Sequence, residues 1–380
     1  MTISPVVARP QPVTRDVGAA RWRDDLLLVL PAWLVARVVV LGADAVVVYL
    51  HGRVPALRSV GLLGWDAAYY RQIAAQGYGS LSQSGVRFWP LTPVLARAVA
   101  LTGLPVGLAL LLVANVAALI FALVLVRLAR AEHWPQRVVV ALPWLAQLAP
   151  PAYVLVMGYA EGVGALFSVL AFLGLRTHRW SLAAAAGVLA GLSRPVGLLL
   201  AAPAAVEAAR GWRAATGSDR LGRAAAILAP VIGTAAYLGY IGRRLGDPTL
   251  PYRVQQGRAL HGPAANPISN LAHAARGTFH HNIGTGLHVP WIVLFVALLV
   301  VMIRLLPASY TIWALLTLLA ALAGSNLDSS ERYLWGAFPF VVVACMLLTR
   351  AARLWWAALA VTTSLLTAYA LLAFTGSLVP

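Results

Sequence analysis

The densest gathering of reactive and ring-bearing side chains in the sequence is the run Gly64-Trp65-Asp66-Ala67-Ala68-Tyr69-Tyr70-Arg71-Gln72-Ile73-Ala74-Ala75-Gln76-Gly77-Tyr78. A carboxylate within ~3 Å of a hydroxyl can accept its proton and make it a nucleophile. Asp66 could supply that chemistry, or it could simply cap the short interfacial helix that the run predicts, with Gly77 as its stop. Trp65, Tyr69 and Tyr70 are candidate substrate contacts, although aromatic belts form at every membrane interface. Further along stand Glu161, Arg194 and the pair Arg332-Tyr333. Guanidinium groups bind phosphate through two parallel hydrogen bonds, which suits Arg194 and Arg332 to a phosphorylated substrate. The plainer alternatives are a snorkelling side chain or helix-break carbonyl contact for Arg194 and a head-group contact for Arg332. Glu161 can orient substrate hydroxyls, hold Arg194, or form a structural ion pair.

The elements that position these groups must lie in a membrane. Of the 380 residues, 61% are hydrophobic and 11% charged, and mean hydropathy is +0.79. A soluble globular chain carries about 25% charged residues, so a water-soluble fold is excluded. About eleven membrane segments of roughly 20 residues use more than half of the chain and leave no room for a separate soluble domain. The expectation is an all-α polytopic membrane protein, with residues 1–24 as a cytoplasmic tail and 25–376 as one transmembrane domain. The first apolar stretch, from near Leu26 to about Leu50, is too long for the core of a cleavable signal. Cys345 is the single cysteine and admits no intramolecular disulfide. Arginine supplies all 29 basic residues against 12 acidic ones, a net charge of +17. That balance favours anionic lipid head groups or phosphorylated substrates. Scatter of the arginines through short inter-helix loops argues against nucleic acid, and the absence of lysine fits a GC-rich genome and a bacterial plasma membrane.

Scoring the loops for arginine orients the chain. Arg9, Arg15, Arg21 and Arg23 place the N-terminus inside and the loop 51–104 outside. Counting Phe88 to Thr102 as a span would put Arg127, Arg130 and Arg137 outside, so it is read as a re-entrant or interfacial helix. Spans are expected over Pro105 to Leu128, Val138 to Met157 and Glu161 to Leu175. The stretch Ser181 to Val206 has inside arginines at both ends, a conflict that two half-length helices meeting at Ser193-Arg194-Pro195 resolve, since Pro195 breaks a helix there. Further spans are expected over Ala224 to Gly242, Val289 to Ile303, Ala308 to Ala323, Leu334 to Leu348 and Leu354 to Phe374, with a second outer loop over 243–288. No internal repeat is visible.

This topology sorts the carboxylates. Asp16, Asp24, Asp25, Glu132, Glu207 and Asp219 are expected inside, in short solvated segments. Asp44, Asp66, Glu161, Asp247, Asp328 and Glu331 fall outside or in the outer half of a span, beside Arg194 and Arg332. Ionisable groups at membrane depth are costly enough that function is the default hypothesis; Asp44, expected to be buried against Arg37 or another helix, is given no role. The loop 243–288 holds five of the eight histidines, His261, His273, His280, His281 and His288. Their spacing matches no metal-ligand pattern and no cysteine accompanies them, so neither a metal nor a cofactor is expected. A Gly-rich phosphate loop and an Asp-x-Asp sequence are both missing, which argues against a nucleotide-sugar donor.

Trp65-Asp66 with Tyr70, Ile73-Ala74 and Gly77-Tyr78, then Phe88-Trp89-Pro90-Leu91-Thr92-Pro93, resembles the PIG-V-like mannosyltransferases, relatives of the eukaryotic GPI mannosyltransferase II. Tyr159-Ala160-Glu161, Arg194-Pro195-Val196-Gly197 and Glu331-Arg332-Tyr333 continue the match in order, from roughly Trp33 to Pro339. The pattern departs from the family at Thr92 and at Ala160. The resemblance implies a GT-C membrane glycosyltransferase that takes mannose from a polyprenyl-phosphate carrier on the extracytoplasmic face. It implies Asp66 as general base, attack with inversion at the anomeric carbon, and no nucleotide. The acceptor would be a glycolipid, glycan or protein. A transporter or lipid-carrier flippase with Asp66, Glu161 and Arg194 in its pathway is the alternative from another class, and a non-catalytic subunit of a glycosyltransferase complex is a third. Transporters place such groups on both sides of a repeat interface, whereas here they fall on one side.

Overall fold

The computed structural model describes residues 22–51, 61–257, 260–279 and 288–378. Arg9, Arg15, Asp16, Arg21, His280 and His281 lie outside the described residues. Those described are helical except for turns, loops and an isolated antiparallel bridge between Ala264 and Gly324. The order runs α1 (Trp22–His51), α2 (Asp66–Gln76), α3 (Leu91–Ala100), α4 (Val106–Ala131), α5 (Gln136–Leu148), α6 (Glu161–Arg176), α7 (Trp180–Ser193) and α8 (Ala201–Ala209). It continues with α9 (Gly217–Leu245), α10 (Leu250–Gln255), α11 (Pro267–Phe279), α12 (Val289–Leu305), α13 (Ala308–Ala321), α14 (Ser330–Trp335), α15 (Pro339–Leu348) and α16 (Ala352–Phe374). Helices α1, α4, α9 and α16 are long and apolar enough to cross a membrane; the shorter apolar helices pack between them.

Three expectations change shape. The segment Val138 to Met157 is not one helix: α5 stops where Pro150 and Pro151 open a 3-10 turn ending at Leu155, because consecutive prolines withhold two backbone donors. Leu334 to Leu348 is likewise split, with α14 ending at Gly336 and Pro339 starting α15. The outer loop expected over 243–288 holds two helices in its described part, α10 and α11. By contrast, the break at Arg194 is where the arginine conflict requires it: α7 ends at Ser193, Arg194 is extended, and Pro195 opens a 3-10 turn leading into α8. The segment Phe88 to Thr102 contains the short helix α3, whose first turn is buried while Val94 and Leu101 are exposed.

Helices α7 and α9 meet backbone to backbone. A Cβ on Gly191 would stand 2.3 Å from the Pro230 carbonyl oxygen, and one on Gly233 would stand 2.1 Å from that of Val188. Only glycine permits that approach, as in other membrane helix pairs joined by small residues, and it fixes the end of α7 from which Arg194 projects.

Charged groups collect at the two ends of the bundle. At one end, Arg127 and Arg130 pair with Asp25, which is fully buried. Beside them Arg176 bridges Glu132 and Glu207, and Arg210, Ser309 and Tyr310 complete the network. Asp25, Glu132 and Glu207 are therefore not solvated as expected; neighbouring helix ends enclose them. Between the ends, Arg37 is buried in α1. It donates to Asn115 Oδ1 at 2.9 Å, Gln147 Oε1 at 2.7 Å and the Leu155 carbonyl at 3.1 Å, rather than to Asp44.

Candidate active site

The opposite end of the bundle carries a cavity of about 380 Å³ whose wall includes Asp66, Tyr70, Glu161, Arg194, Arg332 and Tyr333. Six side chains singled out in the sequence, drawn from α2, α6, α14 and the break after α7, thus face one space. An ion-pair chain links them. Arg332 Nη1 donates to Asp66 Oδ2 at 2.9 Å, Arg332 Nε lies 3.5 Å from Glu161 Oε1, and Arg194 Nη2 lies 3.3 Å from the same oxygen.

Local backbone explains how each group is aimed. Trp65 precedes α2 with φ 52°, a left-handed conformation that a bulky residue adopts only when its surroundings impose it. Its indole N–H donates to the Ala373 carbonyl at 3.1 Å, tying it to α16. Asp66 is then the first helical residue, its own N–H donating to Tyr159 Oη at 3.3 Å. No side-chain hydrogen bond caps α2, and the Asp66 carboxylate lines the cavity and accepts from Arg332. Glu161 occupies the same first position on α6, where the helix dipole favours an anion. The extended backbone at Arg194 carries its guanidinium across to Glu161, with its stem beside Gly164.

Two expected contacts face elsewhere. Trp65 packs toward α16 as described, and Tyr69 stacks on Phe88 with ring centroids 4.6 Å apart; neither lines the cavity. Tyr70 does, and burial, reinforced by the Glu161 and Asp66 charges, pushes its phenol well above the usual value, so it stays protonated.

Other residues enter that the sequence does not single out for the site, apart from His261, since the arginines and histidines of the 243–288 loop could contact an anionic acceptor or the carrier phosphate. Arg87, at the end of a 3-10 turn from Gln83, lies 3.7 Å from Asp66 Oδ1. Tyr78 Oη donates to the Phe88 carbonyl at 2.6 Å, and Tyr237 Oη donates to the Val86 carbonyl, which together moor that turn. Tyr159 sits under Arg332, its ring centroid 5.3 Å from the guanidinium carbon. Over the cavity passes the segment after α9, contributing Tyr252, Gln255, Gln256 and His261. It is stitched to the α13–α14 connection by the Ala264–Gly324 bridge, by Asn326 N–H donating to the His261 carbonyl at 2.9 Å, and by Asn326 Nδ2 donating to the Leu260 carbonyl at 2.8 Å.

His261 lies 3.2 Å from Tyr333 Oη. Burial, helped by the Arg332 and Arg87 charges, pulls its imidazole down to about 4. The unfolded chain binds a proton between the ordinary histidine value and that lowered one while the folded chain refuses it, so this group's contribution to stability falls as pH drops through the window. In detergent-solubilised protein carrying ¹³C-labelled histidine, the resonance that disappears in His261→Gln is expected to titrate near pH 4; titration near the ordinary value would place the ring in solvent. On the outer side of α14, His288 Nδ1 lies 2.6 Å from Glu331 Oε2 and Nε2 lies 3.6 Å from Asp328 Oδ1. Burial alone lowers the His288 imidazole, but the two carboxylates outweigh it and raise it above its ordinary value. This pair anchors the helix that presents Arg332 and Tyr333.

Three guanidiniums (Arg87, Arg194, Arg332) against two carboxylates (Asp66, Glu161) leave the cavity one net positive charge. The Nε atoms of Arg87 and Arg332 are buried without a hydrogen-bond partner, that of Arg332 facing Glu161 Oε1 at 3.5 Å. Among the described residues no group of three or more His, Cys, Asp or Glu side chains is arranged to hold a metal ion. The chain matches no protein-family model and no curated protein.

Proposed function

We propose that the protein is a membrane mannosyltransferase that moves the sugar from a polyprenyl-phosphate donor to the hydroxyl of an extracytoplasmic acceptor. The observation that carries this reading is the cavity itself, where one carboxylate able to take a proton, Asp66, stands among three guanidiniums able to hold a phosphate. The motifs of the PIG-V-like resemblance, and no family match, supply the sugar. In this reaction the acceptor hydroxyl gives its proton to Asp66 and its oxygen attacks the anomeric carbon. The bond from that carbon to the phosphate oxygen breaks, and its electron pair leaves with the polyprenyl phosphate. Attack from the face opposite the leaving group inverts the centre, so one base suffices and no second carboxylate nucleophile is needed. Arg194 and Arg332 hold the leaving phosphate, and Glu161 keeps both guanidiniums in place. An apolar groove of about 570 Å³ lined by Leu95, Val99, Leu112, Val116, Leu166 and Phe167 offers the isoprenoid tail a bed along α3, α4 and α6.

Reading the arginine-rich end of the bundle, with Arg127, Arg130, Arg176, Arg210 and Arg223, as cytoplasmic supports an extracytoplasmic cavity in a plasma membrane. The test is incubation of the purified full chain with polyprenyl-phosphate-mannose and candidate glycolipid, glycan and protein acceptors. The expected result is transferred mannose and released polyprenyl phosphate in equal amounts. Movement of the lipid across sealed vesicles with no sugar transferred would instead support the flippase.

A further inference from the structure

We propose that Arg87 captures the phosphate of the donor lipid, and that its departure from Asp66 frees the carboxylate to take the acceptor's proton; this rests on the donor reading above. In the structure Arg332 Nη1 hydrogen-bonds Asp66 Oδ2 at 2.9 Å, whereas Arg87 Nη2 stands 3.7 Å from Oδ1, an ion pair without a hydrogen bond. Oδ1 keeps lone pairs for a hydroxyl proton, but a cation beside it opposes the arrival of that proton, and drawing one cation away removes the opposition. Arg332 is not the one to move. It is 5% exposed, donates to Tyr333 Oη at 2.9 Å, and is also paired with Glu161. Arg87 is held more loosely. Its longer ion pair is its single carboxylate contact among the described residues, and its guanidinium carbon otherwise lies against rings, 4.6 Å from the Phe88 centroid and 5.8 Å from that of Tyr69. Arg87 lines the cavity, and a phosphate oxygen there would offer its guanidinium a charge-assisted hydrogen bond that the 3.7 Å pair does not supply.

Losing a cavity anion tightens phosphate binding on charge alone; competition between Asp66 and phosphate for the same arginine predicts in addition that the gain depends on Arg87. Losing Asp66 removes the competitor, so Asp66→Asn should bind phosphate more tightly while being unable to transfer sugar. The probe is geranyl phosphate, with geraniol as its uncharged counterpart, titrated against purified full-length protein in detergent. Wild type is expected to prefer the phosphate. Arg87→Gln should weaken it by about tenfold or more, Arg87→Lys less, and Asp66→Asn should tighten it by about tenfold. In Asp66→Asn combined with Arg87→Gln the tightening should shrink, since the two changes act on one contact. Arg87→Lys, which keeps the charge and loses the fork, carries the test if Arg87→Gln does not fold. A wild type that binds geraniol as well as geranyl phosphate defeats the donor reading itself. Phosphate-selective wild type with unchanged affinity in the Arg87 variants, or with weaker binding in Asp66→Asn, overturns the role of Arg87 and leaves the donor reading standing.

Discussion

Asp66→Asn is expected to lose mannose transfer by about 10²–10⁴-fold, the usual worth of a positioned general base. The replacement is nearly isosteric and keeps an oxygen that can accept from Arg332 Nη1, so the 2.9 Å contact survives in weakened form. Its amide cannot take a proton from an attacking hydroxyl. The loss should therefore fall on kcat, with the chain still eluting as a folded particle and its thermal midpoint close to that of wild type. Release of polyprenyl phosphate from the mannosyl donor, followed by thin-layer chromatography, gives the rate. Transfer within a factor of a few of wild type would remove Asp66 from the chemistry and leave it as a partner for two arginines.

The largest effect on stability is expected at the other end of the bundle. Arg176 donates to Glu132 through Nε and Nη2 and to both oxygens of Glu207 through Nη1 at 3.0 Å. Replacing it with methionine preserves most of the volume but leaves Glu132 with the Tyr310 hydroxyl at 2.8 Å and Glu207 with Arg210 and Ser309. Breaking a buried pair by removing one partner costs about 3–5 kcal/mol, because the remaining charge stays out of water. Chemical denaturation in detergent should show that loss in Arg176→Met, and recovery of part of it when Glu132→Gln is added, since the two positions share one contact. A loss below about 1 kcal/mol, typical of solvent-exposed pairs, would mean that water reaches the network.

Which parts of the site could be read from the sequence depends on how local their causes are. The break at Arg194-Pro195 was legible because two independent constraints, a proline and arginines at both flanks, meet at one position. Asp66 was legible as a reactive candidate because the aromatics around it lie within one short helix. Its partner was not: Arg332 is 266 positions away, and no period or composition reports a pairing that tertiary packing creates. Arg87 was missed because a 3-10 turn has no repeating face to mark which side chain points inward. Glu132 and Glu207 looked solvated because each stands at the end of an apolar run, where sequence alone cannot distinguish a loop open to water from helix ends closed over one another. Trp65 and Tyr69 lie beside Asp66 in the sequence yet serve the framework, Trp65 by gripping α16 and Tyr69 by backing Arg87.

The bond from the Trp65 indole to the Ala373 carbonyl joins positions 308 residues apart. A nascent chain that has inserted α1 and α2 still lacks the group that holds Trp65 in its left-handed turn. The Asp66 carboxylate that follows Trp65 thus depends for its final bearing on α16, the last helix of the chain to be made.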